Sequence, residues 1–419
     1  APRRAVVIGS SMGGWLAMLL LRRMLLADKA SARRVAGLLL IAPAADMTSA
    51  LMWNEMTPEA RQALLEQGVW MRPSLYGEPY PITARLIADG HQVSGVHLRL
   101  TDGVASTTQV SDTATADARR AAELLGIELA VWDFSERFRE EVVANFLGEY
   151  AAGRTPNPCL RCNQRIKFGI VLDQGLAEGF DAVATGHYAR LEHHVHGTSL
   201  YRAAALAKDQ SYVLGVLNAE QLRHCLFPLG DVTSKQQVRD EAADLGLPMA
   251  TKPDSNDICF IPDGGAAGFL AERLGRRPGV IVDGDGVEIG QHSGQHLFTI
   301  GQRHGLHLGV PARDGQPRYV VAKDASTNTI TVGGRQQLTV SSIIGEHLRW
   351  CEAPVEGPWH GLVQVRAHGE AMPATISVVA DRLQVELDDP AFGIACGQGA
   401  VLYDGDRVVG SATISATLG

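Results

Sequence analysis

The chain has no excess of basic residues: Lys and Arg number 38 against 46 Asp and Glu, a formal net charge of −8. A globally cationic polyanion binder is therefore excluded, and any nucleic-acid partner must be met by a local basic surface. There is no cysteine framework either. Six cysteines spread unevenly over 419 residues do not read as the staples of a small secreted domain, and point to an intracellular protein with reactive or buried thiols. Long apolar runs are lacking. WLAMLLL at 15–21 stops at Arg22 and Arg23, too short to span a bilayer, so neither a signal peptide nor an anchor is read, no membrane partner is expected, and the cytoplasm is the expected compartment. Internal repeats and low-complexity tracts are absent. What remains is 45% hydrophobic with a mean hydropathy of −0.01, the balance of a globular chain long enough for two or three domains.

Short apolar strands at 5–8 and 35–41 flank a helix, the grammar of a βαβ unit and a parallel sheet. The grammar repeats from Gln92. QVSGVHLRL is a strand, DTATADARRAAELLGI an amphipathic helix, ELAVWDF a strand and SERFREEVVANFLGEY a helix. A further helix is expected at about 160–176, then a strand over DAVATGHYARL, with mixed α/β structure to about Cys259. From about Gly279 the pattern becomes short alternating runs separated by Asp-Gly, Asn and Gly turns. This predicts a small mixed module and then an antiparallel barrel or sandwich.

The chemically loaded stretch is GRTPNPCLRCNQRIKFG. Asn157-Pro158 reads as a helix start, which puts Cys159 and Cys162 in a first turn where unpaired N–H groups and the helix dipole favour a thiolate. Arg161, Arg165 and Lys167 act in the same direction, as a nucleophilic cysteine requires. Other readings stay open. Zinc would want a second Cys/His pair, but Cys225, Cys259, Cys351 and Cys396 are each isolated; a thioredoxin-like CxxC normally follows the first strand of its fold; two buried inert cysteines fit the composition. Cys259, in the polar stretch KPDSNDICFIPDG, could form a thiol pair with Cys162, carrying sulfur on one and resolving it as a disulfide with the other. Between them LAKDQSYVL offers Lys208, Asp209 and Gln210 for charge and hydrogen bonding, though a solvated turn has the same composition.

Taken in order, GRTPNPCLRCNQRIKFG, DAVATGHYARL, AKDQSYVLG, LFPLGDVTSKQQVR, KPDSNDICFIPDG and TIGQRHGLHLG resemble the tRNA-specific 2-thiouridylases over roughly residues 91–419. The resemblance implies an ATP-pyrophosphatase-like α/β domain at 91–265, a small β-rich central module at 266–336 and a C-terminal β-barrel at 337–419. It implies ATP, with Mg2+, as the agent that adenylates O2 of the wobble uridine, tRNA as substrate, and a separate donor protein delivering persulfide sulfur. By position it makes Cys162 the nucleophile and Cys259 the persulfide carrier. Asn157, Pro158 and Cys159 fall on the segment touching the target base, and Leu98 and Gly186 on ATP contacts. His187, Lys208, Asp209, Gln210, Arg366 and Gln398 fall on positions that meet tRNA. Ala367 follows Arg366 where the family pattern favours an aromatic residue.

One part of that pattern is missing. The family opens with an SGGVDS loop whose amides hold the ATP pyrophosphate, and residues 1–90 carry GSSMGG instead. Gly9-Ser10-Ser11-Met12-Gly13 fits G-x-S-x-G, the nucleophile elbow of α/β-hydrolases, and VAGLLLIAPAADM and LYGEPYPITARLIADG resemble that family's next strand and lid. The alternative function is thus a serine hydrolase through Ser11, or a catalytically impaired tRNA-binding fusion. The turn could also hold phosphate, or merely connect strand to helix.

Overall fold

The computed structural model describes, with side chains, residues 93–101, 127–194, 197–240, 258–261, 265–308 and 315–419, together with helical positions 115, 116, 118, 119, 122 and 123. For 5–8, 37–41, 69–74, 77–83, 92 and 241–244 it describes the backbone. Contacts gather the chain into two compact units that do not follow chain order: Ala1–Arg139 with Gln164–Ser211 and Ala219–Asn256, and Glu140–Asn163 with Tyr212–Asn218 and Asp257–Gly419.

The first unit is built on a parallel sheet. Its strands are β1 (Ala5–Ile8), β2 (Gly37–Ile41), β5 (Gln92–Arg99), β6 (Glu128–Asp133), β7 (Ala182–Thr185) and β10 (Cys225–Leu226); β3 (Val69–Ser74) and β4 (Gly77–Thr83) form a separate antiparallel pair. β6 and β10 lie at the edges, and β1 and β2 both pair into the space between β5 and β7. Strands covered on both faces are buried along consecutive residues, as Gly95–Leu98 and Val183–Thr185 are, even at the polar His97 and Thr185. Thr115, Ala118 and Ala122, three and four apart, are buried as the amphipathic reading of that helix requires. The strand expected over DAVATGHYARL is instead two. β7 ends at Thr185, and β8 (Ala189–His194) begins after a break and pairs antiparallel with β9 (Gly197–Arg202).

Helix α1 (Ser135–Phe138) closes the first segment of the first unit; the chain then runs through a π-helical stretch, Arg139–Val143, into α2 (Ala144–Ala151) of the second unit. The single helix expected at 160–176 is broken into α3 (Pro158–Cys162), a π-helical stretch Asn163–Ile170 interrupted at Gly169, and α4 (Val171–Ala177), with the residues from Gln164 to Ala177 belonging to the first unit. The central module is a four-stranded sheet of β11 (Gly279–Val282), β12 (Glu288–His292), β13 (Tyr319–Asp324) and β14 (Thr329–Gly333) in the order β12-β11-β14-β13, around Ile281, Phe298, Val320, Ile330 and Val332. The C-terminal strands are β15 (Thr339–Trp350), β16 (Trp359–Gln364), β17 (Met372–Val379), β18 (Arg382–Phe392), β19 (Gly399–Asp404) and β20 (Arg407–Leu418). They run antiparallel in the order β15-β18-β17-β16-β19-β20, and pairing of β15 with β20 closes them into a six-stranded barrel, which leaves no open edge among them. Alternation fills its interior with Ile343, Val363, Ile376, Leu383, Val385, Leu402 and Ile414.

Candidate functional site

The loaded stretch starts a helix where the sequence places it. Asn157 is extended (φ −107°, ψ 103°), its Oδ1 accepts the Cys159 N–H at 3.0 Å, and Pro158 occupies the first helical position, where a missing N–H costs nothing. Cys159 is exposed and Cys162 is buried. Two expectations need correction. Cys162 is the fifth residue of α3, past the first turn, and the amide of Cys159 is already taken by the cap. Arg161 is turned to Glu141: its Nε donates to the Glu141 carbonyl at 3.0 Å and a terminal nitrogen to the carboxylate at 2.8 Å, so its charge is largely neutralised.

The segment ahead of α3 is tied on two sides. On the barrel side, Thr155 N–H donates to Cys396 O at 2.8 Å and the Gln398 amide donates to Thr155 O at 2.7 Å. The backbones approach so closely that a Cβ on Gly397, whose φ is +93°, would lie 2.9 Å from Thr155 N, and one on Gly399 would lie 2.6 Å from Leu160 Cδ1. Buried Tyr212 donates to Gly399 O at 3.1 Å, and its hydroxyl also meets the Asn157 side chain. On the central-module side, the Gln295 amide donates to Tyr150 O and Ala151 O, the last carbonyls of α2, at 3.3 and 3.1 Å. Lys323 donates from Nζ to Phe298 O at 2.8 Å and lies over the Tyr150 ring at 6.0 Å. Burial holds the Lys323 ammonium down at about 8 and pushes the Tyr150 phenol up. The sequence reading missed Thr155, Tyr212, Gln295 and Lys323. Gln295 sits in a stretch that reads as one more alternating run, and nothing in its spacing marks it as a cap.

Cys259 lies in the same compact unit as Cys162. It is exposed, in a turn closed by Ile261 N–H to Ile258 O at 2.9 Å, and its neighbour Phe260 is buried edge-on against Phe146 (5.4 Å) and Phe269 (5.7 Å). No disulfide joins any of the six cysteines, so the pair expected to close one are both thiols. The other thiols are chemically quiet. Burial pushes Cys225, Cys351 and Cys396 up, and Cys225 donates to Gln221 O.

In the first unit, Leu98 is buried near the carboxyl end of β5, and Gly186 follows the carboxyl end of β7, the sheet edge where parallel α/β folds receive ligands. Two expected RNA contacts turn inward here. His187 is 8% exposed, packed against Phe168 and Phe227 with Nδ1 2.6 Å from Thr185 Oγ1. Burial, helped by Lys167, keeps it neutral. Asp209 accepts Ala203 N–H at 2.9 Å, Ser211 N–H at 3.1 Å and Ser211 Oγ–H at 2.7 Å, and pairs with Arg202 at 3.7 Å. Gln210 accepts Tyr188 N–H at 3.0 Å, and Lys208 is exposed. Arg366, in the second unit, donates to Gly393 O and lines one cavity with Gln398. Ser11 lies outside the described residues. Among the described residues no three of His, Cys, Asp or Glu cluster to hold a metal, and no helix is long and apolar enough to cross a membrane.

The chain matches three family descriptions in succession: tRNA methyl transferase HUP domain over 82–263, tRNA methyl transferase PRC-barrel domain over 267–334, and aminomethyltransferase beta-barrel domain over 340–414. It is 55% identical to the tRNA-specific 2-thiouridylase MnmA of Cutibacterium acnes, over 80% of this chain and 92% of that one. The proteins of the same name from Nocardioides sp. and Acidothermus cellulolyticus are 54% and 53% identical over 80% of this chain, covering 94% and 93% of their own length. A solved structure of a putative hydrolase from Agrobacterium vitis S4 is 27% identical over 34% of this chain and 61% of its own, with a TM-score of 0.15. The serine-hydrolase alternative gains no support. The ordered motifs, the three successive domains and these relatives agree: the chain belongs to the tRNA-specific 2-thiouridylase family.

Proposed function

We propose that this chain exchanges the C2 oxygen of the wobble uridine of tRNA for sulfur, in the cytoplasm, through Cys162 and Cys259. ATP as co-substrate would supply the AMP group that turns O2 into an adenylate, with release of pyrophosphate, so that AMP becomes the leaving group. Sulfur arrives from a separate donor protein as a persulfide on Cys259. Its terminal sulfur attacks C2, AMP departs with the former O2, and the Cys162 thiolate attacks the remaining Cys259 sulfur. The S–S bond to the transferred atom breaks, its electron pair stays with the 2-thiouridine, and a Cys162–Cys259 disulfide forms. A thiol reductant must return the pair to two thiols before the next turnover. The observation carrying this reading is the contrast of two thiols in one compact unit: Cys259 exposed, where a donor protein can load it, and Cys162 buried at the end of a capped helix.

A base must leave its stack before C2 can be attacked, and unstacked loop bases are the ones proteins grip by their edges. Asn157, Pro158 and Cys159 supply that grip beside Cys162. ATP is placed at the carboxyl edge of the parallel sheet, near Leu98 and Gly186; no step is assigned to Mg2+, for which the described residues offer no clustered ligands. β1 ends at Ile8, opposite Thr185.

The test is thiolation of unmodified tRNA by the purified full chain with ATP, Mg2+ and a persulfide donor, read by retardation on a mercury gel alongside AMP release. Thiolated tRNA and AMP are expected in equal amounts, with the product abolished in Cys162→Ser and Cys259→Ser. Product formed by either variant, or without ATP consumption, overturns the assignment.

A further inference from the structure

The exchange through Cys162 and Cys259 uses one half of the C-x-x-C in α3 and leaves the Cys159 sulfur without a part. Cys159 and Cys162 are three residues apart on one helix. Helix geometry sets their Cα atoms about 5 Å apart, inside the range of roughly 4.4–6.8 Å over which a disulfide closes. C-x-x-C is also a spacing at which dithiols exchange with disulfides. The two sulfurs differ in access: Cys162 is 8% exposed, whereas Cys159 is open to solvent. The remaining thiols are unsuited to exchange with Cys162. Cys225 and Cys351 are wholly buried, and Cys396 is half-buried with its thiol pushed up by that burial.

Each turnover ends with a Cys162–Cys259 disulfide, which occupies the cysteine that the donor protein must load again. In the reduced chain Cys259 sits in a turn held by the Ile261–Ile258 hydrogen bond and by Phe260, buried against Phe146 and Phe269, and its sulfur is not bonded to Cys162. Forming that bond requires an anchored segment to shift, whereas a Cys159–Cys162 bond stays within one helix. Exchange between the two disulfides conserves one S–S bond and one thiol, so strain and access set its direction, and both favour the local pair. Attack from one helical turn away also avoids the encounter that an external thiol needs. We infer that Cys159 is the resolving cysteine of this site. Once the product has left, the Cys159 thiolate attacks the Cys162 sulfur. The Cys162–Cys259 bond breaks, its electron pair goes to Cys259, which takes up the proton Cys159 gave up, and a Cys159–Cys162 disulfide forms. Cys259 is then ready for the next persulfide, and the thiol reductant attacks at the exposed Cys159 sulfur, expels the Cys162 thiolate, and with a second thiol returns Cys159 to a thiol as the reductant becomes a disulfide. The inference rests on the thiolation reading and adds a third sulfur to it.

The test is a single turnover of the full chain, loaded with a persulfide donor, freed of excess donor and mixed with ATP, Mg2+ and unmodified tRNA in the absence of any thiol reductant. Samples are quenched at intervals with acid and N-ethylmaleimide, digested with trypsin without reduction, and read by mass spectrometry. Trypsin cuts after Arg154, Arg161 and Arg165, so Cys159 and Cys162 fall on different peptides and each linkage has its own mass. The Cys162–Cys259 linkage is expected to appear with the thiolated tRNA and then to decay as the Cys159–Cys162 linkage rises and Cys259 becomes alkylated, the two linkages together matching the thiolated tRNA one to one. In Cys159→Ser the Cys162–Cys259 linkage should persist. With limiting reductant the ratio of its steady-state rate to its own first-turnover rate should fall several-fold, and excess reductant should restore that ratio. A Cys162–Cys259 linkage that persists in the wild type while Cys159 is alkylated throughout overturns the relay. So does an equal yield of the Cys159–Cys162 linkage without tRNA, which is oxidation outside the reaction, and so does a Cys159→Ser variant whose two rates fall together, which is loss of the base contact alone. If thiolated tRNA forms while these results fail, only the relay falls; if neither thiolated tRNA nor either linkage forms, the thiolation reading falls with it.

Discussion

Asp209 accepts three hydrogen bonds from its own loop and faces Arg202, with only 6% of its side chain exposed. As one member of Lys208-Asp209-Gln210 it reads in sequence as a polar contact, because a loop has no period to tell an inward side chain from an outward one. An inward carboxylate also makes electrostatic sense, since an outward one would repel phosphate. Asp209→Ala leaves Arg202 and three donors without their acceptor, and should destabilise the first unit by about 3 kcal/mol; Asp209→Asn, which keeps an acceptor oxygen, should cost clearly less. Urea unfolding followed by circular dichroism checks both, and equal costs would mean that charge alone matters. At Asn157 the reading succeeded, because a cap followed by proline is a local signature that depends on nothing distant. Asn157→Ala should cost about 1 kcal/mol of stability, while Asn157→Ser should retain most of it, and alkylation of Cys162 by iodoacetamide should accelerate as α3 frays.

Elements were legible where periodicity and buried runs agree, as in β5, β6 and the alternating strands of the barrel. They were not legible where hydrogen bonding changes without a change in composition. CLRCNQRIKFGIVLDQGL has uniform helical content, yet the chain passes from α3 into a π-helical stretch and kinks at Gly169. The tie between α2 and the central module was invisible for a different reason: Gln295 acts across 144 residues of sequence. Its amide satisfies two carbonyls that the end of a helix must otherwise leave open. Gln295→Leu, similar in size and without a donor, should cost about 1–3 kcal/mol. It should also lower kcat for thiolation more than it raises KM for tRNA, because the segment it steadies leads directly to Cys159 and Cys162. Loss of stability with an unchanged kcat would show that the tie serves folding alone.

At the scale of the molecule, motif order along the chain identified the family, but the compact units cut across that order, joining Glu140–Asn163 to residues more than a hundred positions away. Units are set by which apolar faces meet, and that information is spread over the whole sequence. The same non-local packing produces a titration no composition predicts. Lys323, between the exposed Ala322 and Asp324 of β13, has its ammonium held by Phe298 O beside Tyr150, whose hydroxyl bonds to Thr299; burial lowers its pKa from 10.5 to about 8. Below pH 8 the lysine is protonated folded and unfolded alike, and the cost of burying the charge is felt in full. Between pH 8 and 10 the unfolded chain binds the proton that the folded chain has released, so stability rises with pH, by roughly 2–3 kcal/mol from this group. Tyr150, whose phenol burial raises above its ordinary value of 10, opposes the rise only at the top of the window, where the unfolded phenol begins to ionise, and does so alike with or without the lysine. Lys323→Met, which keeps the stem and removes the charge, should therefore gain on the wild type at pH 7 and lose that advantage by pH 10, as measured by hydrogen exchange at the β13–β14 amides at each pH. A difference between the two proteins that does not change with pH would show that the ammonium is fully solvated.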